Sequence, residues 1–145
     1  FLGVRNAGRY TTFSETFISA PFCAALAWSG GKVHYRGMHD FNAAAVLRNV
    51  ALVEVVSDAA RPRYRPRIDV TCTDGRTYEW EETLGIDAFK LTWEAAVKMT
   101  HSLCSEIGMS SSSTADLIRS VEGISAAPGS VRSLMTRVSM MTRKL

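Results

Sequence analysis

The stretch "IDVTCTDGRTYEW" (residues 68–80) carries the strongest local signal in this chain of 145 residues. Ile68, Val70 and Cys72 alternate with polar residues, which is the period of a strand with one face buried. Asp74-Gly75 then forms a turn signal between two such segments. The pattern predicts a β-hairpin with strands at about residues 66–72 and 76–82.

The length of the hairpin loop decides which side chains share a face, because a slip of one residue inverts every side chain. A two-residue loop pairs Cys72 with Thr77 and separates the apolar residues of the two strands. A three-residue loop, residues 73–75, pairs Cys72 with Arg76 and requires Gly75 to be left-handed. We predict the three-residue loop, since it places one apolar set on a single face: Ile68, Val70, Tyr78 and Trp80.

A third strand is predicted upstream of the hairpin. "ALVEVVS" (residues 51–57) is rich in β-branched residues, which favour strands. The intervening "AARPRYRPR" (residues 59–67) is predicted as a loop, because Pro62 and Pro66 exclude a central strand.

Helical patterns occur on both sides of these strands. We predict helices at about residues 14–29, 92–107, 113–122 and 130–143, and a loop at residues 32–39. Ser14 and Glu15 resemble a helix start, Pro21 bends or restarts the first helix, and Gly30-Gly31 ends it. Ser113 is predicted to cap the third helix. Helices combined with a small antiparallel sheet indicate an α+β fold in one domain, residues 1–145.

Composition narrows the class of protein. Apolar residues make up 46% of the chain and charged residues 21%, as in globular proteins, and the net charge is +3. Such a balance does not indicate a nucleic-acid partner, although four arginines surround Tyr64 in the proline-containing loop. The longest apolar stretch, residues 19–28, is about half of what spans a bilayer, so no membrane association is predicted. Three cysteines without metal-ligand spacing indicate reduced thiols and a cytoplasmic location.

Two histidines and a carboxylate form the only sequence cluster that suggests a metal. His34 and His39 are five residues apart and do not share a helix face, and Asp40 follows them directly. Without a third well-spaced ligand we predict no metal site, and we interpret these residues as surface or hydrogen-bonding side chains.

Four segments in succession resemble the C-terminal domain of the MmgE/PrpD family, which includes 2-methylcitrate dehydratase, cis-aconitate decarboxylase and iminodisuccinate epimerase. They are "ETFISAPF" (15–22), "NVALVEVVSD" (49–58), "RIDVTCTDGRTYEWEE" (67–82) and "LGIDAFKLTWEAAVKM" (84–99). Their order and spacing are similar to the family pattern from about Thr12 to Met99.

The resemblance implies a lid domain of a cofactor-independent lyase that acts on a small di- or tricarboxylic acid such as 2-methylcitrate. It implies that Ser19 and Phe22 lie near the substrate, although Phe22 replaces a family tyrosine and cannot donate a proton. It also implies a homodimer, and a larger helical catalytic domain that is absent from these 145 residues.

Alternatives to this dehydratase remain. An epimerase or a decarboxylase of the same family fits the same motifs. A standalone binding or dimerisation module without activity is the alternative from another class. Ser19 and Phe22 are then only a helix cap and a packed ring.

Overall fold

The computed structural model describes residues 2–125 and 130–142, and these form helices together with one hairpin. The helices are α1 (Phe13–Ile18), α2 (Ala20–Gly30), α3 (Tyr35–His39), α4 (Ala44–Val50), α5 (Trp93–Glu106), α6 (Ser111–Glu122) and α7 (Ser130–Thr142). The strands are β1 (Arg67–Thr71) and β2 (Thr77–Glu81). Short 3-10 turns lie at Leu2–Arg5, Gly85–Phe89 and Gly123–Ser125. The predicted α+β class is therefore confirmed.

The hairpin has the predicted register. Ile68 pairs with Trp80 and Val70 with Tyr78, so the four apolar side chains share one face. The Cys72 amide donates to the Arg76 carbonyl oxygen at 2.8 Å, which closes a three-residue loop. Gly75 has φ of 84°, the left-handed conformation that this loop requires.

The predicted strand at residues 51–57 is wrong. Helix α4 ends at Val50, and the Leu52 and Val53 amides continue as turns, donating to Asn49 and Val50 carbonyl oxygens at 3.0 and 3.1 Å. A β-branched run becomes a strand only where another strand pairs with it. Residues 51–57 have no such neighbour in the described chain, and Leu52 is 82% exposed.

The helix predicted at residues 14–29 is two helices, α1 and α2, which meet at Ser19. The cap of α1 is Thr12, in a capping box with Glu15, and Ser14 lies inside the helix. Pro21 stands in the first turn of α2, where its missing N–H costs nothing, so the predicted restart is confirmed. Gly31, with φ of 76°, ends α2 as predicted.

The later helices agree with the prediction more closely. Helix α5 occupies residues 93–106 against a predicted 92–107, and Gly108 follows it with φ of 80°. Helix α6 begins at Ser111 because Ser110, and not Ser113, is its cap. Helix α7 covers the predicted last helix up to Thr142, while residue 143 lies outside the described residues.

The chain divides into two compact units. The hairpin unit is Val56–Trp93, and the helical unit combines Phe1–Val55 with Glu94–Leu145, within the described ranges. The core of the helical unit lies between α2, α4 and Tyr10, and Met38, Phe41, Ala43 and Leu47 pack around it. Its buried apolar members are Tyr10, Phe22, Ala25, Leu26, Val46 and Val50. Within the described chain, no helix is long and apolar enough to cross a membrane.

The left-handed conformation of Gly75 generates a stability prediction. Gly75→Ala is expected to lower the free energy of unfolding by about 1 kcal/mol, because a Cβ in this conformation is strained. Backbone strain is the only expected cause of this loss, because an added Cβ has no atom within 4 Å with which to clash. Urea unfolding followed by circular dichroism measures the change.

The matched control is Gly123→Ala. Gly123 also has nothing within 4 Å of an added Cβ, but its φ is −79°. We expect no loss of stability for this variant. Equal losses in the two variants would contradict the assignment of strain to Gly75.

Candidate functional site

Ser19 joins α1 to α2 and is completely buried. Its Oγ accepts a hydrogen bond from the Phe22 amide at 3.1 Å, which caps α2. The same hydroxyl donates to the Asn6 carbonyl oxygen at 2.6 Å. Ser19 therefore provides a hydrogen-bond acceptor for the first turn of α2, and its own hydrogen bond holds the N-terminal segment against this helix.

Tyr10 brings a second hydroxyl to the same point. Its Oη donates to the Asn6 carbonyl oxygen at 2.7 Å and lies 3.1 Å from Ser19 Oγ. A carbonyl oxygen has two lone pairs, so Asn6 accepts both hydroxyl hydrogens. Burial raises the pKa of Tyr10, against the lowering effect of the hydrogen bond with Ser19. The phenol is thus a protonated donor at neutral pH.

The Phe22 ring lies against Tyr10 in the core. The ring centroids are 4.8 Å apart at an interplanar angle of 69°, the edge-to-face geometry that aromatic pairs prefer. Phe22 is 0% exposed and contributes no polar atom. In the described structure its side chain contacts its own core.

The structure thus brings the two predicted substrate neighbours, Ser19 and Phe22, together at one point, which we name the Ser19 cluster (Asn6, Tyr10, Ser19 and Phe22). Both predicted residues are 0% exposed, so neither is open to a ligand in the described structure. Substrate contact stays a prediction, while capping and packing are what the geometry shows. Tyr10 was missed by sequence reasoning, since no periodic pattern surrounds it and no motif includes it.

A second group of rings, the α1/α3 aromatic surface, consists of Phe13 and Phe17 from α1 and Tyr35 and His39 from α3. The His39 ring stacks on Phe13 at 4.6 Å and contacts Tyr35 at 4.4 Å. Phe17 stacks on Phe13 at 5.7 Å. Phe17 and Tyr35 are 59% and 41% exposed, so these rings face solvent.

Helix α3 itself corrects the sequence prediction, which placed a loop at residues 32–39. It is held from outside: Thr16 Oγ1 donates to the Met38 carbonyl oxygen at 2.7 Å, and the Tyr35 amide donates to Glu106 Oε2 at 2.7 Å. His34 and His39 are at opposite ends of this helix. Among the described side chains, no three potential metal ligands come together.

Two of the four arginines that surround Tyr64 in the hairpin unit form ion pairs. Arg61 forms an ion pair with Glu81 at 2.6 Å, and Arg67 forms pairs with Asp69 and Glu79 at 2.7 and 2.9 Å. Tyr64 has φ of 62°, which is unusual for a residue with a side chain. Its ring packs edge-on against Phe89 at 5.7 Å.

Two shallow depressions lie along α7 in the described chain, lined by residues of that single helix such as Arg132, Thr136 and Met140. They bring together no general base, nucleophile or oxyanion donor set of the kind that catalysis needs. No further residue is assigned to a site there.

The chain matches no protein-family model, no curated protein and no solved structure. A functional interpretation therefore rests on the motifs of the sequence and on the geometry described above.

The Ser19 cluster generates a prediction of ranked stabilities. Ser19→Ala is expected to lower the free energy of unfolding by about 2 kcal/mol, because it removes a helix cap and leaves the buried Phe22 amide without an acceptor. Tyr10→Phe is expected to cost about 1 kcal/mol, since Ser19 still donates to Asn6. Urea unfolding compares the variants.

Ser14→Ala is the control, because Ser14 is an exposed serine inside α1. Its expected cost is close to zero. If Ser19→Ala were as mild as Ser14→Ala, the buried hydroxyl would not hold the joint between α1 and α2.

The capping box of α1 predicts a dependence on pH. The amide and hydroxyl of Thr11 donate to Glu15 Oε2 at 2.6 and 3.0 Å, and the Thr12 amide donates at 3.0 Å. The pKa of Glu15 is lowered, chiefly by the Thr11 amide. A lowered pKa stabilises the fold above the unfolded-state pKa, and this contribution is lost as the pH falls through the folded-state pKa.

Glu15→Gln is therefore expected to be destabilising at neutral pH and progressively less so below about pH 4. Unfolding midpoints at a series of pH values test this, with the exposed Glu54→Gln as the control. A Glu15→Gln deficit that is equally large at acid pH would contradict the role of the carboxylate.

Proposed function

We propose that this chain is the lid domain of a cofactor-independent lyase that resembles the MmgE/PrpD family. In this proposal it works with a larger helical catalytic domain that carries the main catalytic groups. The proposed enzyme is a cytoplasmic homodimer, as the resemblance implies.

The observation that carries the proposal is the apolar face of the hairpin. Ile68, Tyr78 and Trp80 lie on this face and are 50%, 54% and 52% exposed. A two-stranded hairpin is at best marginally stable alone, and an exposed apolar face is typical of a protein–protein contact. A lid needs such a face, because it must pack against the domain that it covers.

The segment with the family's entry pattern also supports the proposal. "ETFISAPF" (15–22) leads through Ser19 into the small-residue helix α2, as the resemblance implies. Ser19 and Phe22 then stand at the start of a helix that packs closely on α4. They are the proposed substrate neighbours of the lid.

The proposed reaction is dehydration of a small di- or tricarboxylic acid such as 2-methylcitrate. A base removes the proton on the carbon beside a carboxylate, a carbon–carbon double bond forms, and the hydroxyl group leaves as water after it is protonated. Cationic or hydrogen-bonding groups hold the carboxylates while charge develops. Epimerisation and decarboxylation are the alternatives within the same family.

A binding or dimerisation module without activity is the second candidate. The same hairpin face favours it, since a module of this kind also presents an apolar surface to a partner. Phe22 also favours the binding module, because its ring lacks the hydroxyl group that the family tyrosine provides.

A turnover assay on the complete native polypeptide separates the two candidates. We expect its purified form to convert 2-methylcitrate to an unsaturated acid, detected by ultraviolet absorbance and mass spectrometry. The rate is expected to be unchanged by a chelator. Trp80→Ala is expected to reduce the rate at least several-fold by weakening the contact of the hairpin face, whereas Thr77→Ala, on the other face of β2, leaves it unchanged.

Intact-mass measurement of the native polypeptide accompanies the assay. A native mass equal to that of the 145-residue chain, with no turnover of any di- or tricarboxylate, would reject the lyase and favour the binding module. Turnover that disappears with the chelator would reject the cofactor-independent mechanism.

A further inference from the structure

The first turn of helix α3 is capped by an imidazole ring. His34 is its N-cap, and His34 Nδ1 lies 3.0 Å from the Gly37 amide nitrogen. A backbone N–H can only donate, so Nδ1 must be unprotonated and must accept. The cap therefore exists only with the neutral ring, whose hydrogen is on Nε2.

His39, at the other end of α3, has the opposite requirement. Its Nδ1 lies 3.0 Å from the Tyr35 carbonyl oxygen, which can only accept, so this nitrogen carries a hydrogen. Protonation of His39 at Nε2 leaves that hydrogen bond intact. It also places the charge at a helix C-terminus, where cations are favoured. Of the two rings, only His34 loses its hydrogen bond on protonation.

The His34 ring packs closely against Gly37. Gly37 has no Cβ, and an added one would lie 2.7 Å from His34 Cε1 and 2.6 Å from Leu26 Cδ1. Gly30 approaches from α2, with the position of its missing Cβ 3.6 Å from His34 Nε2. The imidazole thus occupies the space that a side chain at Gly37 would need, and it is in ordinary van der Waals range of Gly30.

The groups around this cap determine what protonation does. The neighbouring Tyr35 amide is held by Glu106, which also pairs with Lys32 at 3.6 Å. The other charged or titratable side chains of α3 and its caps are Tyr35, Arg36, His39 and Asp40, and from α2 the backbone of Gly30 approaches the ring. Protonation of His34 Nδ1 removes the acceptor of the Gly37 amide, because a protonated ring nitrogen can only donate.

We propose that His34 is an acid-sensitive cap that releases the first turn of α3 when its imidazole is protonated. Histidine side chains change charge between about pH 5 and pH 8. Helix α3 carries Tyr35 and His39 of the α1/α3 aromatic surface, so release of its first turn loosens that surface. This proposal does not depend on the proposed function.

The test is amide hydrogen exchange of the full ¹⁵N-labelled chain, observed by NMR. Protection of the Gly37 amide, corrected for the intrinsic exchange rate, is compared at pH 7.5 and pH 5.5. We expect it to fall about five-fold at the lower pH, the effect of losing one helix cap. Imidazole ¹⁵N shifts are expected to show His34 with its hydrogen on Nε2 at pH 7.5.

His34→Asn is the decisive variant, because an asparagine side chain caps a helix at either pH. It is expected to give equal Gly37 protection at the two pH values, while His34→Ala gives low protection at both. His101→Gln, at an exposed position in α5, is the control and keeps the five-fold change. A pH effect that persists in His34→Asn, no effect in the unaltered chain, or a His34 hydrogen on Nδ1 would overturn the proposal.

Discussion

The buried hydroxyl of Ser19 is the constraint on which the helical unit depends. A buried hydroxyl, amide or carbonyl group is costly unless it has a hydrogen-bond partner. The Ser19 hydroxyl, the Phe22 amide and the Asn6 carbonyl meet at this point. Ser19 accepts from the Phe22 amide and donates to the Asn6 carbonyl oxygen. Because both contacts are made by one side chain, the end of α1, the start of α2 and the N-terminal segment are fixed together. The core between α2 and α4 then forms beneath this point.

The two units differ in how they bury their apolar side chains. The helical unit encloses Phe22 and Val50 almost completely, so its core is closed by its own helices. The hairpin unit sorts its side chains just as strictly, yet Ile68 and Trp80 are half exposed. Its polar face is held by exposed ion pairs such as Arg67 with Glu79, which contribute little to stability. Hence the hairpin face, like the α1/α3 aromatic surface of the helical unit, is exposed and available for contact with a partner.

Sequence alone predicted the elements whose signals are local. The hairpin register followed from alternation and a glycine turn, and the ends of α2 and α5 followed from Gly31 and Gly108. The strand at residues 51–57 failed because strand formation depends on a pairing partner, which a sequence window does not contain. Helix α3 was missed because its ties come from distant side chains, Thr16 and Glu106. At the candidate site, the motifs predict roles for Ser19 and Phe22, and substrate contact stays a prediction, whereas Tyr10 reaches Ser19 only through the folded chain.

The helix caps of the helical unit differ in their response to acid. Ser19 and Ser110 cap with hydroxyl groups, which accept a hydrogen bond at every physiological pH. His34 caps with a ring nitrogen, which accepts a hydrogen bond only while it is unprotonated. Glu15, in the capping box of α1, keeps its charge to lower pH because the Thr11 amide lowers its pKa. Acid therefore acts on the caps of α1 and α3, while the hydroxyl caps at Ser19 and Ser110 keep their acceptors. The α1/α3 aromatic surface is carried by α1 and α3, the two helices whose N-terminal caps involve an ionisable side chain.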